Sequence, residues 1–178
     1  MECKGSPRLS GQSAAHLPPR GRSMLSVKKI LCPTDFSLPS YEALKIAVEI
    51  AQHFGAELWV MHVIPPLPSP VPVADSTFVP SFDLPLYQQE LTSSSENALK
   101  AVIAERVPPG LTAHPVLTPG DPAQEIILAA EEQKIDLIVI ATHGHTGWGR
   151  LLFGSVAEKV VRLAPCPVLT IKAPQAEE

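Results

Sequence analysis

The chain is short of cysteine, of long apolar runs and of excess basic charge. Its 178 residues include three cysteines, Cys3, Cys32 and Cys166. An odd set without metal-ligand spacing argues against a metal centre and fits a reducing compartment. Cys32 and Cys166 read as small buried apolar residues on strands rather than as redox groups. No apolar stretch is long enough to span a bilayer, so no membrane association is expected. The first residues lack the apolar core of a secretory signal, so a cytoplasmic protein is expected. Lys and Arg number 14 against 18 Asp and Glu, a formal net charge of −4. That balance excludes a dedicated nucleic-acid binder, which would carry a basic face. What remains is a chain with 45% apolar residues, enough for one domain with a real core.

Residues 1–26 are rich in Ser, Gly, Pro and Arg, have no periodicity and hold one acid, Glu2. They read as a disordered tail rather than a transit peptide, and Met24 is a candidate start. The domain is expected over 27–173, with 174–178 as a C-terminal tail. Lys29-Ile-Leu-Cys32 predicts a strand stopped by Pro33. Helical spacing runs from Ser37 to Phe54, with Ala43, Leu44, Ala47, Ile50, Ala51 and Phe54 on one face. Pro39 suits its first turn and Gly55 its end. Glu57 to Ile64 predicts a second strand. The proline-rich stretch 65–85 reads as a long loop. Leu86 to Val107 looks helical and is stopped by Pro108-Pro109-Gly110. Thr112 to Leu117 is a third strand. Asp121 then caps a helix with Pro122 at its first position, ending near Gln133. Asp136 to Ala141, Ser155 to Leu163 and Pro167 to Ile171 complete the pattern as strand, helix and strand.

Strands alternating with helices imply an open five-stranded parallel α/β sheet covered on both faces. Ligands of such sheets sit beyond the carboxyl ends of the strands, where the strand order reverses. Two unusual segments leave strand ends, Pro33-Thr34-Asp35 and Ala141-Thr-His-Gly144-His-Thr-Gly147-Trp-Gly149. The second runs on to Gly154-Ser155 and Val-Ala-Glu158, where Ser155 and Glu158 have capping-box spacing. A strand, a glycine-rich loop and a helix N-terminus together hold phosphate, because backbone N–H groups can approach the anion. Gly149-x4-Gly154-Ser155 partly mimics a P-loop but lacks its lysine, and the dinucleotide glycine pattern is distorted. His143 and His145 read as phosphate or solvent contacts rather than metal ligands. Arg150 suits either a γ-phosphate or solvent, and Asp35 either a ligand or a helix cap. His62 reads as a satisfied core or dimer-contact histidine rather than a catalyst.

From Lys28 to Lys172 the chain resembles the universal stress protein family. The similarity rests on Lys29-Ile-Leu-Cys-Pro-Thr-Asp-Phe-Ser37, Met61-His-Val-Ile64 and Gly120-Asp-Pro-Ala123. Most specific is Gly144-x9-Gly154-Ser155, then Val-Ala-Glu-Lys-Val-Val and Ala164-Pro-Cys-Pro-Val-Leu. The resemblance implies a Rossmann-like fold of the adenine nucleotide alpha-hydrolase type. It also implies the ATP-binding branch, whose pattern G-x2-G-x9-G-S/T is met except that Ala141 replaces the first glycine. Pro33, Thr34 and Asp35 would then line the adenine and ribose pocket, and Val63 and Ile140 would sandwich the base. Ala141, Thr142, His143, Gly144, His145, Thr146 and Gly147 would wrap the phosphates. Gly154, Ser155, Val156 and Ala157 would hold phosphate at the helix start. Mg²⁺ or Mn²⁺ would be carried by the triphosphate, with no metal ligand from the protein. No catalytic base is evident, so at most slow hydrolysis is expected. A nucleotide-free dimeric scaffold and a slow ATP-hydrolysing enzyme are the alternatives. The family pairs its last strand with a second copy, so a homodimer through 167–171 is expected.

Overall fold

The computed structural model of the chain describes residues 26–66, 84–142 and 154–172. The tail 1–25, the stretch 67–83, the loop 143–153 and the end 173–178 lie outside these. The described residues form five strands and four helices in strict alternation. The strands are β1 (Lys29–Pro33), β2 (Glu57–Ile64), β3 (Ala113–Pro119), β4 (Leu137–Ala141) and β5 (Val168–Ile171). The helices are α1 (Leu38–Phe54), α2 (Leu84–Arg106), α3 (Pro122–Glu132) and α4 (Ser155–Leu163). All strand pairs are parallel, in the order β3-β2-β1-β4-β5.

Alternation of side chains divides the core into two layers. Ile30, Cys32, Leu58, Val60, Val139 and Ala141 meet Leu44, Ala47, Ala51, Leu99 and Val102 of α1 and α2. Leu31, Trp59, Met61, Val63, Ile138 and Ile140 meet Ala123, Ile126, Ala157 and Val160 of α3 and α4. Both faces are therefore dry, which is why the central strands read as continuous apolar runs. Leu31 and Leu44 are almost fully buried. Each such leucine contributes about 1.5–3 kcal/mol through its removal from water. Asp136 ties β4 to β1: its Oδ2 accepts the N–H groups of Lys28 at 2.8 Å and Lys29 at 3.0 Å.

Local chemistry sets the helix ends. The Ser37 hydroxyl caps α1 by accepting Ser40 N–H, and Gly55 ends it at φ 64°. Asp121 caps α3 by accepting Gln124 N–H at 3.1 Å. Three expectations are corrected. Helix α2 begins at Leu84, two residues into the expected loop, because Pro85 fits a first helical turn. Phe54 stays 45% exposed at the end of α1, where its ring edge meets His53, and Val48 takes its place in the core. Ser155 is the first residue of α4 rather than its cap. Gly154 takes the cap position with extended backbone, no side chain caps the helix, and Glu158 N–H already bonds Gly154 C=O at 3.0 Å. Cys32 is fully buried and Cys166 half-buried, both as free thiols. Burial, and then the negative charge of Asp136, push the Cys166 thiol upward.

Candidate functional site

The strand order turns back beside β1, where the chain goes out through β2 and β3 and returns to β4. A cavity of about 400 Å³ lies there, beyond the carboxyl ends of β1, β2 and β4. This size falls within the range of small-ligand pockets. Pro33, Thr34 and Asp35 form one wall as β1 gives way to α1. Val63 and Ile140 line it from the strands on either side of β1, on the sheet face covered by α3 and α4. Ala141 and Thr142 line it where β4 ends, and Gly154, Ser155, Val156 and Ala157 where α4 begins. His143, Gly144, His145, Thr146 and Gly147 lie outside the described residues, as does Arg150.

The β1–α1 turn is held by a directed chain of hydrogen bonds. Phe36 N–H donates to Thr34 Oγ1 at 3.0 Å. The Ser40 hydroxyl donates to Ser37 C=O at 2.8 Å, so Thr34 Oγ1 must donate to Ser40 Oγ at 2.9 Å. Asp35 Oδ1 accepts Ser37 N–H at 3.1 Å and the Ser37 hydroxyl. Asp35 thus braces the helix entry and at the same time faces the cavity. Phe36 adopts φ 63°, an uncommon left-handed conformation for an aromatic residue. Such strain persists only where neighbours over-determine it.

At the opposite end Gly154 N–H bonds Thr142 C=O at 2.7 Å, which docks the start of α4 on β4. The first bond within α4 is made by Glu158. The N–H groups of Ser155, Val156 and Ala157 precede it, and no side chain caps them. They are the orphan donors of a helix start, and their residues line the cavity. With the helix dipole behind them they favour an anion. The cavity therefore has a donor-rich end at α4 and an apolar middle at Val63 and Ile140. Asp35 is its one carboxylate among the described lining residues. Among the described residues no group of three His, Cys, Asp or Glu could hold a metal ion. Nor is any described helix long and apolar enough to cross a membrane.

Ala141 ends β4 opposite Ile171 and packs in the α1 layer. It is not among the residues with positive φ, so its methyl group costs no backbone strain. The sequence reading missed five lining residues, Ser40, Met61, Pro65, Pro122 and Ile126, and did not place His62 in the cavity. Met61 shares a strand face with Val63, and Ile126 shares a helix face with Pro122. Those spacings were the available signal.

Residues 26–172 match the Universal stress protein family. The universal stress protein MJ0531 of Methanocaldococcus jannaschii is 40% identical over 150 residues, covering 84% of this chain and 85% of that protein. The solved structure of MJ0577 from the same organism superposes with a TM-score of 0.68 at 26% identity, over 85% of this chain and 100% of that one. Two further solved relatives share the fold at lower identity. A universal stress protein in complex with cAMP is 22% identical, with a TM-score of 0.53 over 83% of this chain and 98% of that one. One from Archaeoglobus fulgidus in complex with dAMP is 24% identical, with a TM-score of 0.51 over 84% and 100%. With a matched pattern over nearly the whole domain and a 40% identical relative, the chain belongs to the universal stress protein family.

Proposed function

We propose that this chain is an ATP-binding member of its family, a cytoplasmic module whose bound nucleotide biases a conformation or a partner. One observation carries the reading. Three uncapped N–H groups at the start of α4 open on the same cavity that Val63 and Ile140 line with apolar surface. A triphosphate suits the first and an adenine the second. Asp35 and the Pro33–Thr34 backbone would take the ribose side. Mg²⁺ or Mn²⁺ would enter with the triphosphate. The cavity offers no carboxylate at the α4 end among its described residues, so turnover is slow at most. The cAMP and dAMP complexes belong to other proteins of this fold, and they are in keeping with an adenine nucleotide. Ala141, the one departure from the branch's glycine pattern and so the one feature favouring a nucleotide-free scaffold, sits unstrained in β4, which weakens that alternative. ATP with Mg²⁺ at about a hundredfold its Kd should stabilise the protein by about 2.7 kcal/mol and raise its melting midpoint. No shift at millimolar ATP would overturn the reading, and rapid ADP release would favour an enzyme.

We propose a homodimer through 167–171, and the chemistry of the two sheet edges supports it. In β3, Thr112 C=O and Gly120 N–H bond to β2, so the odd-numbered residues between them face outward. Pro115 and Pro119 hold two of those positions and cannot donate. In β5, Pro167 and Ile171 bond inward through their carbonyls, so Val168 and Thr170 present free edge groups without proline. Leu169 of β5 is exposed, as are Val161 and Leu163 of α4. Sedimentation at micromolar concentration should give the mass of two chains, and Thr170→Pro should give that of one. A wild-type monomer would remove the proposal.

A further inference from the structure

We infer that His62 is the positioning residue that sets the nucleoside end of the cavity, an inference that rests on the nucleotide-binding reading above. His62 Nδ1 lies 2.8 Å from the carbonyl oxygen of Thr34. A carbonyl can only accept, so Nδ1 carries the proton. Thr34 N–H donates to Met61 C=O at 2.8 Å. Two successive residues of β2 therefore hold both backbone polar groups of Thr34. The regular ladder between β1 and β2 stops at Pro33 opposite Met61. The His62 side chain carries the attachment one residue beyond it, to where the chain turns into the cavity wall.

The same ring secures the next strained residue. The Phe36 and His62 rings lie 4.3 Å apart between centroids, tilted by 36°. Phe36 is the aromatic residue held at φ 63°. Both neighbours of Asp35 thus bear on one imidazole: Thr34 through its carbonyl and Phe36 through its ring. Asp35 lines the cavity between them: His62 fixes the backbone on either side of it, and Ser37 N–H and hydroxyl hold its carboxylate. His62 acts through Thr34 and Phe36, as an outer support holds a binding group in place. Nothing in this role requires His62 to change protonation.

Substitutions that move the donor by one bond separate positioning from bulk. An Asn amide can sit near the place of Nδ1, whereas a Gln amide sits nearer Nε2. His62→Leu and His62→Gln should each weaken ATP by about tenfold, the order expected when one well-placed contact is lost. Adenosine should weaken by the same factor, and inorganic tripolyphosphate should be unaffected. His62→Asn should restore most of the affinity for both ATP and adenosine. Calorimetric titration of the full chain reads these values, and melting without ligand reports the fold. Normal ATP and adenosine affinity in His62→Gln, or no recovery in His62→Asn, overturns the inference. If His62→Leu does not fold, the Asn and Gln pair still decides. A wild-type chain that binds tripolyphosphate, ATP and adenosine not at all overturns the nucleotide reading and this inference together. Loss confined to His62→Gln, with a folded His62→Leu binding normally, overturns the inference and leaves the nucleotide reading standing.

Discussion

Ser155→Asp should weaken ATP binding by at least about a hundredfold and leave the fold as stable as wild type, or slightly more so. The two effects separate because they arise from different fields of one helix end. Ser155 is exposed at the first position of α4, and its hydroxyl makes no cap bond. Replacing it removes no core packing. A carboxylate in the first turn interacts favourably with the helix dipole, by about 0.3–1 kcal/mol. The same carboxylate places a negative charge beside the free N–H groups at the start of α4 and repels a triphosphate there. ATP affinity should fall at least about a hundredfold, roughly 2.7 kcal/mol. Adenosine, which has no phosphate, should bind as before. Calorimetry with both ligands and a melting curve measure all three quantities. Undiminished ATP affinity would mean that the phosphates do not lie at the start of α4.

The second large effect is alkaline and comes from Cys32. This thiol is fully buried in the α1 layer, and burial pushes it up from the ordinary 9.0 to about 12. In the unfolded chain it ionises near its ordinary value. Between about 9 and 12 the folded state therefore holds a proton that the unfolded state has released. Stability present below about 9 is lost progressively as the pH rises towards 12, to a total of about 4 kcal/mol. About 2 kcal/mol of this is gone by pH 10.5. Lysines and tyrosines titrate in the same window, so the quantity to measure is a difference. Denaturant unfolding of wild type and Cys32→Ala from pH 8 to 10.5 isolates it, because the variant lacks this one component. Parallel stability curves for the two proteins would show that the thiol is not sealed. The same seal keeps Cys32 out of redox chemistry, since the thiolate is the reactive form.

Most of the elements could be read from local pattern. Strand β2 runs over Glu57–Ile64 as its apolar run and flanking glycine and prolines predict. Helix α3 begins at Asp121 and Pro122 because a cap and a missing N–H are both properties of single residues. Gly55 ends α1 because the left-handed conformation there suits glycine. Errors fell where neighbouring residues compete for one role. Gly154 and Ser155 can each precede a helix, and the bond from Glu158 N–H to Gly154 C=O decides between them, with Gly154 docked on Thr142 C=O through its own N–H.

The sequence by itself determined the α/β class, the two-sided burial of the strands, and the ends of α1 at Gly55 and of α3 at Asp121, since each depends on residues within one turn or one strand. It also marked Pro33–Asp35 and Gly154–Ser155 as chemically unusual. Only the tertiary structure decided that these segments share one cavity, because apolar strands look alike and nothing local names their neighbours. The order β3-β2-β1-β4-β5 brings residue 34 beside residues 142 and 155. The bond between His62 and Thr34 spans 28 residues of sequence, and it exists because β2 happens to lie against β1 in that register.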